Sequence, residues 1–321
     1  MAHFDVFNGD ADGLCALHQL RLASPRTATL ITGTKHEIAL VARAAAQPRD
    51  TMTVLDLSFD TNRAALEPLL AQGVEVEYFD HHHAGDVPSC ANLRAHIDVS
   101  ADVCTSVLVD RHLGGRYRRW AIVGAWGDNL SDTARSLARD LGLSDAEIER
   151  LRDLGESMNY NAYGDSLADL SIAPAALYKA IRPYENPFDF VAASPLVGQL
   201  SACRRADLAH AQQIVPIVSL HWGSVHLLPD EPWARRVRGV YANALANREP
   251  GCAHAVLSAR ADGGYTVSVR APRERPTGAD RLCRKFPGGN GRVGAAGIDC
   301  LAPDRLSAFV DAFALEYAHA V

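Results

Sequence analysis

The chain has 321 residues, 48% of them hydrophobic and 22% charged, with a net charge of −6. These are the values of a globular protein, long enough for two domains, and they exclude a surface that binds polyanions everywhere. The charge is uneven: residues 1–214 hold 19 Lys+Arg against 28 Asp+Glu, and residues 215–321 hold 13 against 10. Metal is therefore expected in the acidic part and phosphate in the basic part.

In chain order, residues 3–7 read as a strand, followed by a Gly/Asp loop and a helix over 13–23. A second strand is expected over 27–32, a helix over 38–47, a third strand over 51–57, a helix over 62–72 and a fourth strand over 74–79. Residues 105–113 read as helix, and 120–126 as an apolar run closing a further βα unit. Strands alternating with helices predict a parallel sheet covered on both faces, with ligands at the carboxyl ends of its strands. Residues 133–182 look wholly helical, and Pro183, Pro187 and Pro195 then break the pattern. A linking helix is expected over 196–214, which puts the domain boundary near 185–215. Strand-like segments follow at 225–228, 253–259 and 265–270, then a glycine-rich loop over 288–297.

Seven scattered cysteines without a C-x-x-C pair argue against a disulfide framework or a structural zinc site. No run of 18 apolar residues predicts a membrane span, and the acidic N-terminus lacks the pattern of a signal peptide. A reduced, cytoplasmic protein is the expectation.

Four carboxylate motifs stand at or beyond the expected strand ends. Asn8-Gly9-Asp10-Ala11-Asp12-Gly13 places two aspartates two apart in one tight turn. Asp56 lies at an apolar strand end, where an ionised carboxylate is costly unless paired or metal-bound. Asp80-His81-His82-His83 puts imidazoles, good ligands for transition metals, directly after a carboxylate. Asp128 follows the apolar run. Alone, the first two also read as caps or turn residues and Asp128 as an ordinary turn aspartate, whereas the alternative for Asp80–His83, a surface His run, is disfavoured by its internal position after a buried-looking strand.

The order D-x-D, D, DHH, D resembles the DHH phosphoesterase superfamily. The glycine-rich segment Gly288-Gly289-Asn290-Gly291-Arg292, with the preceding strand that ends at Arg270, looks like the glycine-rich loop of the DHH-associated C-terminal domain. The resemblance covers essentially the whole chain and is RecJ-like or oligoribonuclease-like. It implies an α/β protein: an N-terminal doubly wound, mainly parallel metal-binding catalytic domain over 1–185, a helical linker over 186–214, and a smaller mixed-sheet substrate-binding domain over 215–321. The active site is expected in the cleft between the two domains.

By the same resemblance, Asp10, Asp12, Asp56, His81 and Asp128 are metal ligands, with Asp56 bridging and Asn8 a weak ligand in place of the usual motif-one His. Two ions are implied, Mn²⁺ first, with Mg²⁺ or Co²⁺ as alternatives. His82 would contact the scissile phosphate and Asp80 would orient a histidine from behind. Arg270, Gly288, Gly289, Asn290, Gly291 and Arg292 would hold the substrate, with Arg292 standing where the family often has His. The implied activity is hydrolysis of phosphodiester or phosphomonoester bonds by a hydroxide activated between two ions. The length leaves no room for the extra nucleic-acid-binding domains of full RecJ enzymes, and no long basic groove is evident. Small nucleotides or short single-stranded oligonucleotides are the favoured substrates. An exopolyphosphatase, a pyrophosphatase-like hydrolase and a non-catalytic nucleotide sensor are the alternatives, and a homodimer is left open.

Overall fold

The computed structural model describes residues 1–318. The chain divides into two compact units, Met1–Cys203 and Arg204–Val321.

The first unit opens with β1 (His3–Phe7), α1 (Ala11–Ala23), β2 (Thr29–Ile31), β3 (Thr51–Leu55), α2 (Phe59–Ala71), β4 (Glu75–Asp80) and β5 (Leu93–Ile97). It continues as helices: α3 (Thr105–His112), α4 (Arg118–Gly127), α5 (Ser131–Asp140), α6 (Asp145–Asn161), α7 (Pro174–Ile181), α8 (Pro187–Ala193) and the start of α9 (Pro195–Gln212). The five strands form one parallel sheet in the order β2-β1-β3-β4-β5. Alternation along each strand feeds two cores. Phe4, Val6, Val54, Val76 and Tyr78 face α2, which buries Phe59, Leu66 and Leu70 against them. Phe7, Leu55 and Phe79 face the other way, onto Leu14 and Leu17 of α1 and Trp120 and Val123 of α4. Each such side chain contributes about 1.5–3 kcal/mol by leaving water.

The helix starts follow from their residues. Ser58 caps α2, Ser144 and Glu147 form a capping box on α6, and Pro174, Pro187 and Pro232 sit at first helical positions, where no amide is needed.

Several expectations change. The apolar run 120–126 lies in helix α4, not in a strand-ended βα unit. Trp120 to Gly127 are all buried, so the helix shows no polar face and no period to read. The expected helix over 38–47 is reduced to one 3₁₀ turn, Val41–Arg43. There Asn62 of α2 accepts from Val41 N (3.1 Å) and donates to Ile38 O (2.7 Å), supplying partners that a helix would have supplied itself. The region 133–182 is three helices and a 3₁₀ turn rather than one helical stretch. Edge strand β5 went unread because its residues Leu93–Ile97 are half exposed and do not alternate cleanly.

The second unit holds β6 (Val218–Leu220), β7 (Gly223–Leu228), α10 (Pro232–Arg248), β8 (Ala253–Ala259), β9 (Tyr265–Arg270), α11 (Ala279–Cys283), β10 (Gly289–Arg292), β11 (Ala295–Leu301) and α12 (Leu306–Tyr317). Its mixed sheet runs β10-β11-β9-β8-β7-β6, with β7 and β8 parallel and the other pairs antiparallel. Val225, Leu257, Val267 and Ile298 pack with Phe309 and Phe313 of α12. The fold class is thus α/β, a parallel five-stranded sheet in one unit and a mixed sheet in the other. No disulfide joins any of the seven cysteines. No helix among the described residues is long and apolar enough to cross a membrane.

His18 of α1 is fully buried beside Trp120, with its Nε2 2.8 Å from Tyr184 O. Burial lowers its pKa from 6.5 to about 4, the Tyr184 contact only partly opposing the shift. The unfolded chain therefore binds a proton first as pH falls. His18 contributes its full stability above pH 6.5 and loses it between 6.5 and about 4, about 3 kcal/mol in all. The loss of stability from pH 7 to 5, measured by urea unfolding, should be about 2 kcal/mol smaller in His18→Gln than in wild type. Parallel pH profiles would show that His18 is not held neutral.

Candidate metal centre

The first turn of the parallel sheet is buried. Asp10 caps α1: its Oδ1 accepts from the amides of Asp12 (3.0 Å) and Gly13 (3.1 Å). Gly13 is required here because a Cβ would lie 2.3 Å from Asn8 O. Asn8 turns its Oδ1 to the Asp10 amide (3.2 Å) and its Nδ2 towards Lys35 O (3.4 Å). Its side-chain amide is committed to the loop.

Asp12 points away from its own helix terminus, to that of α3. Its Oδ2 accepts from Thr105 N (2.7 Å) and its Oδ1 from Ser106 N (2.8 Å). One carboxylate so ties the first βα turn to a helix more than 90 residues on, at the end where the helix is partially positive.

Asp56 follows β3 with φ of +58°, a left-handed conformation that few residues other than glycine tolerate and Asp tolerates better than most. Its amide donates to Phe79 O (3.0 Å), and Thr105 Oγ1 donates to its Oδ1 (3.1 Å). Burial, then the charges of Asp10, Asp12 and Asp128, push its pKa well above the carboxylate range.

Asp80 ends β4 and is wholly buried. It accepts from Phe59 N (3.2 Å), at the start of α2, and from His82 Nδ1 (2.7 Å). That contact raises the His82 pKa and fixes the ring. His81 sends its Nε2 to 3.4 Å from Asp56 Oδ1 and 3.7 Å from Asp128 Oδ2. Asp128 closes α4 as its C-cap residue. Burial, then Asp12, raises its pKa to about 6.

Asp12, His81 and Asp128 each offer a ligand atom within 4.8 Å of the other two, and Asp56, His81 and His82 do the same. Donors bonded to one small divalent ion at about 2.1 Å lie roughly 3–4 Å apart, so the spacing fits. Carboxylate oxygens with one imidazole suit Mn²⁺ or Mg²⁺ chemistry rather than a thiolate-bound zinc. Asp10, Asp12, Asp56, Asp80, His81, His82 and Asp128 are brought together. Asn8 is adjacent, but its side chain is occupied.

Lys35, just beyond β2, went unread from the sequence. Its Nζ lies 2.5 Å from Asp10 Oδ2, 3.0 Å from Asn159 Oδ1 and 3.6 Å from Asp128 Oδ1. Burial opposes its charge, but Asp10, Tyr163 and Asp128 hold its pKa well above the usual value. The one available signal was its place after a strand that neighbours β1, at the end of the sheet where such sites gather.

The remaining expected residues belong to the second unit. Arg270 ends β9, where it bonds Asn243 Oδ1 (2.6 Å), Ser268 Oγ (3.0 Å) and Val269 O (3.0 Å). Segment 288–297 is a β10–β11 hairpin rather than an open loop. Gly288 has φ of +73°, Gly289 N donates to Phe286 O (3.0 Å), and Gly291 N donates to Asn290 Oδ1 (2.8 Å). A Cβ at Gly291 would meet Ala296 Cα at 2.4 Å, so strand pairing explains this glycine. Asn290 and Arg292 are exposed.

The hydrogen bonds separate carboxylates that hold a helix start from those that do not. Asp12→Ala orphans two amides at the start of α3 and should cost metal-free protein about 2 kcal/mol. Asp128→Ala should cost nothing or stabilise, because it relieves repulsion without orphaning an amide. Urea unfolding in chelator tests this, and equal losses in the two variants would contradict it.

The sequence matches no described protein family and no curated protein. Among solved structures, the chain is similar to a manganese-bound RecJ exonuclease, at 18% identity and a TM-score of 0.63, over 99% of this chain and 90% of that one. Similarity to the RecJ of Thermus thermophilus with Mn²⁺ has 19% identity and a TM-score of 0.58, over 99% of this chain and 52% of that one. PggH, a pGpG-specific phosphodiesterase from Vibrio cholerae, aligns over 100% of both chains at 14% identity and a TM-score of 0.59. RecJ and PggH belong to the DHH superfamily, and the chain has their fold.

Proposed function

We propose that the chain is a divalent-metal-dependent phosphoesterase acting on phosphodiester or phosphomonoester bonds of small nucleotides or short oligonucleotides. The observation that carries this reading is that His81 joins two clusters of ligand atoms drawn from four separate segments, one with Asp12 and Asp128 and one with Asp56 and His82. Asp56 and Asp128, whose pKa values are raised by burial and by neighbouring carboxylates, have little reason to be gathered there except to hold a cation.

A divalent ion there supplies polarisation of a phosphoryl oxygen and activation of water. The protein's own groups do the rest. Asp80 holds His82 by Nδ1 and favours its protonated form, which suits His82 to donate from Nε2 to a phosphate oxygen as charge develops. The DHH order of the motifs, the similarity to a manganese-bound exonuclease and the full-length similarity to a pGpG phosphodiesterase support the same reading. Small substrates are favoured because residues 1–214 carry a net charge of −9, unsuited to tracking a long polyanion. Arg292, exposed in a local excess of basic residues, is assigned to non-reacting substrate phosphate on the strength of the resemblance.

Hydrolysis of a dinucleotide such as pGpG should require added Mn²⁺ or Mg²⁺ and vanish with chelator. Asp56→Asn preserves the left-handed backbone while removing a charge, and should lower the rate at least ~100-fold, whereas Asn8→Ala should have a small effect. Full activity in chelator, or equal mild losses in both variants, would remove the metal site from the reaction.

Arg292→Ala should raise KM with kcat little changed, lowering kcat/KM about 10–100-fold while leaving bound metal unaltered. An unchanged KM would make the hairpin purely structural.

A further inference from the structure

The crowd of carboxylates already contains one cation. Lys35 is anchored at both ends by the end of α6: its backbone amide donates to Ala162 O (2.9 Å), and its ammonium donates to Asn159 Oδ1 (3.0 Å). Between these anchors the ammonium reaches Asp10 Oδ2 at 2.5 Å and lies 3.6 Å from Asp128 Oδ1. Asp10 therefore has both oxygens engaged, Oδ1 by two α1 amides and Oδ2 by Lys35. Asn8, the other group on this side, has its oxygen on the Asp10 amide. A second divalent ion placed here would have to displace the Lys35 ammonium from Asp10.

The other side is different. Asp12, His81 and Asp128 turn ligand atoms towards one another, Asp56 joins them through His81, and Asp10 is in neither group of residues spaced to share an ion. Charge does not choose between one ion and two. Four carboxylates, one ammonium and one divalent ion sum to −1 (−4 + 1 + 2), and with two ions to +1 (−4 + 1 + 4). The ammonium does choose: amides on Asp10 and Asp12 leave lone pairs free, but at Asp10 Oδ2 a cation already stands where a second ion would bind.

We propose that Lys35 is a built-in cation, a positioning residue that occupies the Asp10 side permanently, so that the chain binds a single divalent ion at Asp12, Asp56, His81 and Asp128. This rests on the phosphoesterase reading for its metal but concerns the number of ions and the role of Lys35. A fixed ammonium offers a phosphate oxygen a positive partner without any ligand exchange. It also makes the first cation independent of metal supply.

The test is titration of chelator-stripped full-length protein with Mn²⁺, read by calorimetric stoichiometry and by electron paramagnetic resonance. The proposal expects one ion per wild-type chain, with the isolated six-line spectrum of a lone Mn²⁺. Lys35→Ala frees Asp10 Oδ2 and empties the space, so it should bind two ions and show the broadened signal of an exchange-coupled pair. Two ions in wild type, or one in folded Lys35→Ala, overturns the proposal and leaves the phosphoesterase reading intact. Should Lys35→Ala fail to fold, Asp10→Asn decides: it keeps an acceptor for the α1 amides and must still bind one ion. Loss of that ion makes Asp10 a ligand and overturns the proposal. Absence of any Mn²⁺ binding to wild type overturns both readings.

Discussion

Carboxylates buried within reach of one another repel, and surroundings less polar than water strengthen the repulsion. The first unit brings Asp10, Asp12, Asp56 and Asp128 to the carboxyl edge of one parallel sheet, and much of its local architecture is compensation for that. Two of the four are answered by backbone. Asp10 takes the first amides of α1, and Asp12 takes the first amides of α3, where aligned peptide dipoles favour negative charge. These contacts stabilise the carboxylates and at the same time fix where two helices begin.

The other two are answered incompletely. Asp56 has one hydroxyl, the Asp10 carboxyl and a distant imidazole, and Asp128 has an ammonium and an imidazole beyond hydrogen-bond reach. Their raised pKa values express that deficit. The consequence is a division of labour: Asp10 and Asp12 fix helix starts, while Asp56 and Asp128 are left with unanswered charge. The left-handed backbone at Asp56 is a further cost, of order 1 kcal/mol, carried at the point where the carboxylate must turn inward. Asp80 serves differently, its burial made tolerable by an α2 amide and by the His82 ring that it orients.

The sequence was most legible where period and punctuation agree. Strands β1, β3 and β4 are short, mostly buried runs between helical patterns, β8 and β9 have the residue ranges read from the sequence, and prolines and serines mark several helix starts. It misled where burial removes the pattern. Helix α4 is enclosed on all sides, so its apolar run resembles a buried strand. At 38–47 the side chain of Asn62, supplied from another element, replaced the helical bonds that local spacing suggested. Segment 288–297, read as a glycine-rich loop, is a β10–β11 hairpin in which the amides of Gly289 and Gly291 have acceptors inside the second unit.

For the site, the sequence by itself determined which residues carry charge and which lie at strand ends. Asp10, Asp12, Asp56, Asp80, His81, His82 and Asp128 were all identifiable, because ionised and imidazole groups beside apolar strands are costly and therefore conspicuous. What those carboxylates face was decided by tertiary structure alone. That Asp12 caps a helix beginning at Thr105, that Asn8 turns its amide to its own loop, and that Lys35 lies against Asp10 are facts of the folded chain, set by strand order and by where α6 ends. A lysine alone in a polar loop has no sequence signature for such a role. Its raised pKa comes from the carboxylates around it, and that field exists once the chain has folded.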